Sequence, residues 1–464
     1  CDIAATRTVP EMVYGRDSAR DLDTIRPGVV DLELKNPEGK FTPGNTLSPI
    51  VDGLVPNRQM LITAEFEGTL YVMFSGYTQN FIINARVNEQ SVSIPCQDIL
   101  GRLATTKIAT TLYGSIRTGD AMKVVIEESG VYPTINPAVD WDPPFVAINP
   151  WIESGASTLR GWVATGDAID AIKDIITAEG PPSLYSVGSS NQIVFHDRLH
   201  RQRASYPTTP AITLAGCETP GALKLHDSSS IDYGWADIAN RIEYTYDVRS
   251  IDGEYSTVWS TEGDATWGDV SDGSDNPREF TGLVPSGFYD AQPLVEGTLQ
   301  KIETVGSETD ITSGVLPEDY DYILIRGDVS SSTVNNTQGT RVSITMLDGT
   351  TGAGSVTTVR DVSMKARAVN SETVDVTIQD EASIAEYNAD KSLSPDFGPV
   401  TGPDAAAVAA LMLSKRSFIR PTVTAVLKNL TPTYTAAMLA AELGAPVRVT
   451  VVPWATDNDF TIES

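Results

Sequence analysis

The first hundred residues alternate between apolar and polar positions in short runs. Val29–Leu34 reads V-V-D-L-E-L, with apolar side chains at every second position. Similar strand-type runs follow at Met60–Phe66, Leu70–Phe74, Phe81–Val87 and Ser91–Pro95. Short strands at hairpin spacing, with no helical pattern between them, predict antiparallel pairing. We therefore expect an N-terminal β-barrel, or a sandwich, over residues 1–104.

The pattern then becomes helical. Gly119–Gly130 and Gly166–Gly180 both look like short helices. The sequence Thr-Gly-Asp-Ala stands at the start of each, and each ends in glycine. We expect the aspartates to cap the first turn and the glycines to end the helices. Shared capping chemistry and an internal repeat both explain the match. Val131–Arg160, rich in Pro, Trp and Asn, predicts an irregular loop, and Leu184–Val187 with Gln192–Phe195 predicts a hairpin. Together these features predict an α+β middle domain at 105–235.

The second half returns to β-type sequence. Ile238–Val248 alternates like a strand, and Ser250–Asn370 is rich in Ser, Thr, Gly and Asp with strands such as Tyr322–Arg326 and Arg341–Met346. We interpret 236–370 as a second β region with an inserted all-β domain. Within it we expect Val329–Gly339 to be a flexible tip.

The last part, 371–464, predicts C-terminal helices and a strand that complete the fold. Pro403–Ser414 and Thr435–Leu443 are helical patterns, and Pro446–Val452 is a strand. The final Asp459–Ser464 starts another strand, whose pairing partner must come from elsewhere in the chain or from a neighbour. The predicted fold class is mainly β with an α+β middle.

Charge narrows the classes of function. The chain has 33 Lys and Arg against 61 Asp and Glu, a net charge of −28. Nucleic-acid binding needs a basic footprint, so we expect no nucleic-acid sequence recognition. We interpret the one local basic stretch, His196–Arg203, as a solvated strand end. No window of about 18 apolar residues occurs, so we expect no membrane span.

Three cysteines, Cys1, Cys96 and Cys217, allow at most one bridge. This number is too small for a disulfide framework, and no Cys/His cluster indicates zinc. We expect reduced thiols and folding in a cytoplasm. Patterned sequence follows Cys1 directly, where a lipoprotein would have a flexible tether, so we expect removal of an initiator Met rather than lipidation.

Reaction motifs are missing from the sequence. GxSxG, GxxxxGK[ST], HExxH and a GxGxxG after a strand are all absent, and there are three histidines. We therefore expect no catalytic, cofactor-binding or metal-binding residue, and a protein that is not an enzyme. His196 and His200 are four residues apart, but the strand before them predicts that they lie well apart. Asp269, Asp272 and Asp275 recur in a Gly/Ser loop, which fits structural calcium or, as we prefer, a solvated loop.

Aromatic residues are concentrated in one irregular region, at Trp141, Phe145, Trp151 and Trp162. Such side chains stack on sugars or anchor interfaces. The alternative, which we favour, is that they hold a long loop against the core.

A family resemblance covers residues 26–74. The residues that carry it are Arg26-Pro27-Gly28, Asn36-Pro37-Glu38-Gly39-Lys40-Phe41-Thr42-Pro43, Asn45, Ser48-Pro49, Gly53-Leu54 and Pro56-Asn57-Arg58. This resembles the N-terminal pattern of minor tail proteins of actinobacteriophages, in which a strand is followed by N-x-x-G-x-F-x-P, S-P and G-L-x-P-G-R. Asn57 departs from this pattern, since the family usually has Gly there. Gly444–Val452 resembles a late G-D-x-V-x-V strand of the same family, and Ala445 departs from it where Asp is common.

The resemblance implies a structural virion protein of a bacteriophage tail tip. Such a hub is a homotrimer that joins the tail tube to distal tip or receptor-binding components, similar to contractile-tail baseplate hubs. Its partners would be the tail tube, other tail-tip proteins and the host cell surface, and it would be assembled in the host cytoplasm. No cofactor is implied.

Three alternatives stay open. The first is a distal tail ring protein, which is a hexamer. The second is a surface adhesin or carbohydrate-binding protein, which predicts exposed aromatic side chains between Trp141 and Trp162. The third is a tail-associated cell-wall hydrolase, which predicts an essential Asp or Glu.

Overall fold

A computed structural model gives the fold. It describes residues 12–13, 26–86, 89–110, 112–131, 150–181, 184–187, 192–203, 210, 212–216, 222–226, 228–234, 238–254, 357–427, 432–439, 445–451 and 456–461, together with the strands named below between 256 and 347. The described chain is mainly β, with antiparallel pairing predominant and six helices, in agreement with the predicted fold class.

The N-terminal sheet contains the predicted strands. Its members are β1 (Met12–Val13), β2 (Val29–Lys35), β3 (Gln59–Phe66), β4 (Thr69–Thr78), β5 (Ile82–Arg86) and β6 (Glu89–Gln97). The order is β1-β2-β6-β4-β3, with β5 also on β6, and every pairing is antiparallel. The predicted alternation of buried and exposed side chains is present in β2, where Val30, Leu32 and Leu34 are buried and Asp31 is exposed. Among the described strands no pairing closes the sheet, so the barrel stays a prediction.

Helices and short strands build the largest core. The elements are α1 (Ile99–Leu103), β7 (Lys107–Ala109), β8 (Tyr113–Arg117), α2 (Thr118–Ser129), β9 (Trp151–Ile152), β10 (Thr158–Trp162), β11 (Thr165–Asp167), α3 (Ala168–Glu179), β12 (Leu184–Val187), β13 (Gln192–Phe195), β14 (Ile212–Ala215), β15 (Leu223–Lys224) and β16 (Ser230–Tyr233). Apolar side chains of α1, α2 and α3 meet in one cluster. The β12–β13 hairpin is confirmed, and β9 pairs parallel to β13.

Two predictions about this region need correction. The irregular loop Val131–Arg160 includes β9 and the start of β10, because both segments find strand partners distant in sequence. The aspartates of the Thr-Gly-Asp-Ala segments do not cap their helices. Asp120 pairs with Lys123 at 2.9 Å, and Asp167 stands at the N-cap position of α3 without a capping bond and pairs with Lys107 at 2.8 Å. The glycine ends are confirmed, since Gly130 and Gly180 have positive φ.

A long antiparallel ribbon leads out of this core. β17 (Arg241–Ile251) pairs residue by residue with the last part of β27 (Thr357–Gln379). Between them lie β18 (Ser256–Ser260), β19 (Ala265–Trp267), β20 (Arg278–Thr281), β21 (Phe288–Ala291), β22 (Leu299–Thr304), β23 (Ser307–Thr309), β24 (Tyr322–Gly327), β25 (Thr333–Asn335) and β26 (Arg341–Leu347). All elements described in this block are strands. Of the tip predicted at Val329–Gly339, only β25 is among the described residues.

The C-terminal part returns to the core. It contains α4 (Glu381–Tyr387), β28 (Ser392–Leu393), α5 (Gly402–Arg416), β29 (Pro421–Thr424), α6 (Pro432–Leu439), β30 (Pro446–Val451) and β31 (Thr456–Thr461). The Thr401 side chain caps helix α5 by accepting from the backbone N–H of Asp404, and the helix buries Ala405, Val408 and Met412 in the main core. The last strand finds its partner within the chain, because β31 pairs with β30, and β30 pairs with β14.

Candidate functional site

The residues singled out in the sequence do not form one group. Several of them lie outside the described residues, namely Trp141, Phe145, Cys1, Cys217, Asp269, Asp272 and Asp275. Trp162 is 4% exposed and packs against Tyr113, with ring centroids 5.9 Å apart. Trp151 is 55% exposed. Of the four aromatic residues singled out, Trp162 is thus a core residue, and Trp151 is exposed to a ligand or a partner.

Trp151 stands against a pair of histidines. The rings of His196 and His200 stack with centroids 3.6 Å apart and planes 9° apart. The indole plane is nearly perpendicular to both rings, with centroid distances of 5.3 Å to His196 and 6.4 Å to His200. The prediction that the two histidines lie well apart is therefore wrong. The strand ends at Phe195, and a turn followed by a 3₁₀ turn at His200–Gln202 brings His200 back over His196.

Two carboxylates and an arginine lie beside the stacked histidine rings and form hydrogen bonds with His200 and with one another. Glu153 accepts from the His200 ring at 2.9 Å, from Arg203 at 2.6 Å and from the backbone N–H of Asp197 at 2.8 Å. Asp197 accepts from the backbone N–H of Leu199 and from the Arg203 guanidinium. Asp197 is 1% exposed, so the expectation of a solvated strand end at His196–Arg203 is wrong as well.

A second group of polar side chains lies deeper in the protein and connects three parts of the chain. The Glu179 carboxylate, at the end of α3, is fully buried. It accepts from Thr118 Oγ1 at 2.5 Å and from the backbone N–H groups of Ser157 and Arg198 at 2.9 and 3.0 Å. The Arg198 guanidinium also lies 3.5 Å from Asp404, which in turn accepts the Thr158 N–H at 2.9 Å. These contacts fix the start of α2, the end of α3 and the start of α5 against β10 and β13.

Electrostatics keep the inner histidine neutral. Burial, followed by the positive charges of His200, Arg201 and Arg203, lowers the pKa of His196 to about 3. A neutral imidazole can stack closely on its neighbour without charge repulsion. At neutral pH the His196 ring of the stack is therefore uncharged.

The carboxylates of this cluster bind groups of the chain itself. The oxygens of Glu153 and Asp197 already accept bonds from within the chain. Among the residues that the structure describes, no group of three or more His, Cys, Asp or Glu side chains is placed to hold a metal ion. The exposed residues of the cluster are Trp151, Leu199, Gln202 and Arg203, and tryptophan and arginine are enriched at the centres of binding surfaces.

The residues that carry the family resemblance have structural roles. Asn36 accepts from the backbone N–H of Phe41 at 2.7 Å and donates to Thr42 at 3.0 Å. Asn45 donates to the Gly39 carbonyl at 2.9 Å, and Phe41 is buried in the core of the N-terminal sheet. The residues of this pattern therefore hold the connection between β2 and β3 against that core.

The departure at Asn57 is explained by the backbone. Asn57 has φ of 59°, in the left-handed region where glycine and asparagine are the favoured residues. A glycine would therefore fit the backbone at this position as well.

Sequence comparisons find no match, since no family model and no curated protein matches the chain. Solved structures that align with it include three tail proteins. The 43 kDa tail protein of prophage MuSo2 from Shewanella oneidensis has 11% identity and a TM-score of 0.42, with 98% of this chain and 93% of that chain covered. A tail protein from Neisseria meningitidis has 9% identity and a TM-score of 0.41, with 98% and 91% covered. A prophage tail protein from Listeria monocytogenes has 9% identity and a TM-score of 0.36, with 98% and 82% covered. Likeness at these values establishes neither a shared fold nor a shared function.

No helix among the described residues combines the length and the apolar character that crossing a membrane requires.

Proposed function

We propose that this chain is a structural protein of a bacteriophage tail. In this proposal it is the tail-tip hub, a homotrimer that joins the tail tube to distal tip or receptor-binding components in the virion. It assembles in the host cytoplasm, acts without a cofactor and is not an enzyme.

The observation that carries the proposal is the placement of the tail-protein pattern in the fold. Asn36, Gly39 and Phe41 form the connection between β2 and β3, where each meets a specific structural need. Asn57, the departure within this pattern, takes the left-handed backbone that the family's glycine would take. The pattern therefore supports membership of the tail-protein class.

The inserted block supports a hub with a peripheral domain. The β17–β27 ribbon begins and ends at neighbouring residues of the core, because Arg241 pairs with Gln379. A block attached in this way can vary without disturbing the core. We propose that it contacts other tail-tip proteins or the host cell surface.

Imaging of labelled particles tests the proposal. A short peptide tag on the exposed loop near Gly253 would be labelled with gold in virions that contain the chain. The proposal predicts label at the distal end of the tail tube. Label along the tube or at the capsid, or particles with complete tails that lack the chain, would contradict it. The alternative hexameric ring would give label at the same end but six copies in place of three.

A carbohydrate-binding adhesin is a second candidate, favoured by the exposed Trp151 and by the partly exposed Arg203, which is bonded to Glu153. Aromatic faces bordered by charged groups are a usual surface for sugar stacking. The purified chain would bind glycans from the host cell wall, and Trp151→Ala would abolish that binding. Trp162→Phe is the matched control, because Trp162 lies in the core.

A further inference from the structure

Three polar side-chain atoms of the β3–β4 hairpin are buried. They are Gln59 Nε2, Ser75 Oγ and Tyr77 Oη, and none of them has a hydrogen-bond partner among the residues that the structure describes. Ser75 is 0% exposed and Tyr77 is 5% exposed. Folded proteins leave few buried polar atoms unpaired, because such atoms lose their bonds to bulk water. Three of them in one hairpin therefore indicate a common binding partner.

The strand register places the three side chains next to one another. Gln59 of β3 lies directly opposite Tyr77 of β4. Side chains of opposite residues share one face of a sheet, with Cβ atoms about 5 Å apart. Ser75 precedes Tyr77 by two residues on the same strand, so it lies on the same face, roughly 7 Å away. The polar atoms thus form one group and not three separate defects of packing.

This face of the hairpin is directed toward helix α1. The opposite face carries Met60, Ile62 and Phe74, which pack in the apolar core of the N-terminal sheet. The Tyr77 ring instead packs in the main core together with side chains of α1. The guanidinium of Arg102, also in α1, lies 4.5 Å from the centroid of that ring. The polar group therefore belongs to the side on which the N-terminal sheet meets the main core.

The chemistry of the three atoms identifies the ligand class. The Gln59 amide N–H groups donate, and the hydroxyls of Ser75 and Tyr77 both donate and accept. An ion would leave water without an opposite charge from these amide and hydroxyl groups, which is costly. A cation would also meet the positive charge of Arg102 near the Tyr77 ring. Water fits all three groups, because it donates and accepts and joins polar atoms about 5 Å apart through two bonds of about 2.8 Å.

We propose that Gln59, Ser75 and Tyr77 form a binding site for ordered water between the N-terminal sheet and α1. Buried waters of this kind bond to about three protein groups each and are costly to remove. The site is a property of the fold and does not depend on the function proposed above.

The sign of a stability change tests this site. Tyr77→Phe and Ser75→Ala each remove one hydroxyl and leave the rest of the side chain in place. A hydroxyl that is bonded to water contributes about one net hydrogen bond, so each variant should lower the folding equilibrium constant about fivefold. A hydroxyl that is truly unpaired gives the opposite sign, because its removal relieves the cost of burying it.

A double-mutant cycle shows whether the water is shared. The chain that carries both Ser75→Ala and Tyr77→Phe should lose less than the product of the two single losses, because the first substitution already weakens the bound water. Urea unfolding of the full chain measures all four equilibrium constants. Tyr71→Phe, on the same strand but only half-buried, is the matched control and should change the constant by no more than about twofold.

A high-resolution crystal structure of the wild-type chain gives a direct readout that does not depend on how the variants fold. The proposal predicts ordered water within about 3.2 Å of at least two of the three atoms. It is overturned if the three atoms bond to protein groups, or if fewer than two of them contact ordered water. It is equally overturned if Tyr77→Phe or Ser75→Ala leaves stability unchanged or raises it, or if the two losses are fully independent.

Discussion

The buried carboxylate of Glu179 gives the sharpest prediction about stability. It lies where α2, α3 and β10 meet, and it is fully buried. Its oxygens accept from Thr118 Oγ1 and from the backbone N–H groups of Ala156, Ser157 and Arg198, at 2.5 to 3.1 Å. Glu179→Ala removes the acceptor from all four donors at once.

The size of the effect follows from these contacts. A buried donor left without a partner costs about 1–3 kcal/mol, and partial entry of water into the space of the lost side chain lowers the sum. Removing one member of a buried charged network costs about 3–5 kcal/mol. We therefore expect Glu179→Ala to lower the free energy of unfolding by about 4 kcal/mol. Glu179→Gln keeps the shape but loses the charge, and should cost about half as much.

Urea unfolding followed by tryptophan fluorescence measures this change, because Trp162 reports on the same core. Glu128→Ala on the exposed face of α2 is the matched control and should stay within about 0.5 kcal/mol of wild type. If Glu179→Ala also stayed within about 0.5 kcal/mol of wild type, the assignment of Glu179 as the centre of this network would be refuted.

Three further predictions concern single positions. At Asn57, replacement by Gly should be neutral, whereas Val should lower the melting temperature, because a β-branched residue in the left-handed region costs about 1–2 kcal/mol. At His196, the pKa of about 3 lies below the ordinary 6.5, so the unfolded chain binds the proton first and stability falls as pH drops from 6.5 toward 3. The slope is about 1 kcal/mol per pH unit, and urea midpoints for His196→Asn should show a shallower one. At Gly76, an added Cβ would lie 2.4 Å from the Gln97 carbonyl oxygen and 2.6 Å from the Phe74 ring, so circular dichroism melts should show Gly76→Ala strongly destabilised, and an unchanged melt would contradict this packing.

Local patterns predict the regular elements of this fold well. Val30, Leu32 and Leu34 are separated by single residues, and that spacing alone places them on one buried face of β2. The helices end at Gly130 and Gly180, because glycine accepts a positive φ at low cost. Both features depend on neighbours within a few residues, which is the range that a sequence pattern records.

The candidate site depends on distant neighbours, and the sequence pattern does not record them. Glu153 reaches His200 and Arg203 across about fifty residues, and Arg198 approaches Asp404 across more than two hundred. The stacking of His196 on His200 also requires a turn directly after β13, where a strand pattern predicts continued extension. The one sequence signal was the run of charged residues from His196 to Arg203, next to a strand that is buried on both faces.

The aspartates of the Thr-Gly-Asp-Ala segments show the same limit. Capping chemistry allows Asp120 and Asp167 to accept from the first turn of their helices. In the fold each is instead paired with a lysine, and in the case of Asp167 that lysine, Lys107, comes from the neighbouring strand β7. Competition between partners is decided by tertiary structure, which a local motif does not contain.

Symmetry at the tail tip tests the central proposal most directly. Cryo-electron microscopy of virions that contain this chain would be averaged around the tail axis, and the density at the distal end of the tube would be fitted with the fold. The account predicts three copies related by a threefold axis, directly below the tube. Six copies in a sixfold ring, or a fold located elsewhere in the particle, would contradict it.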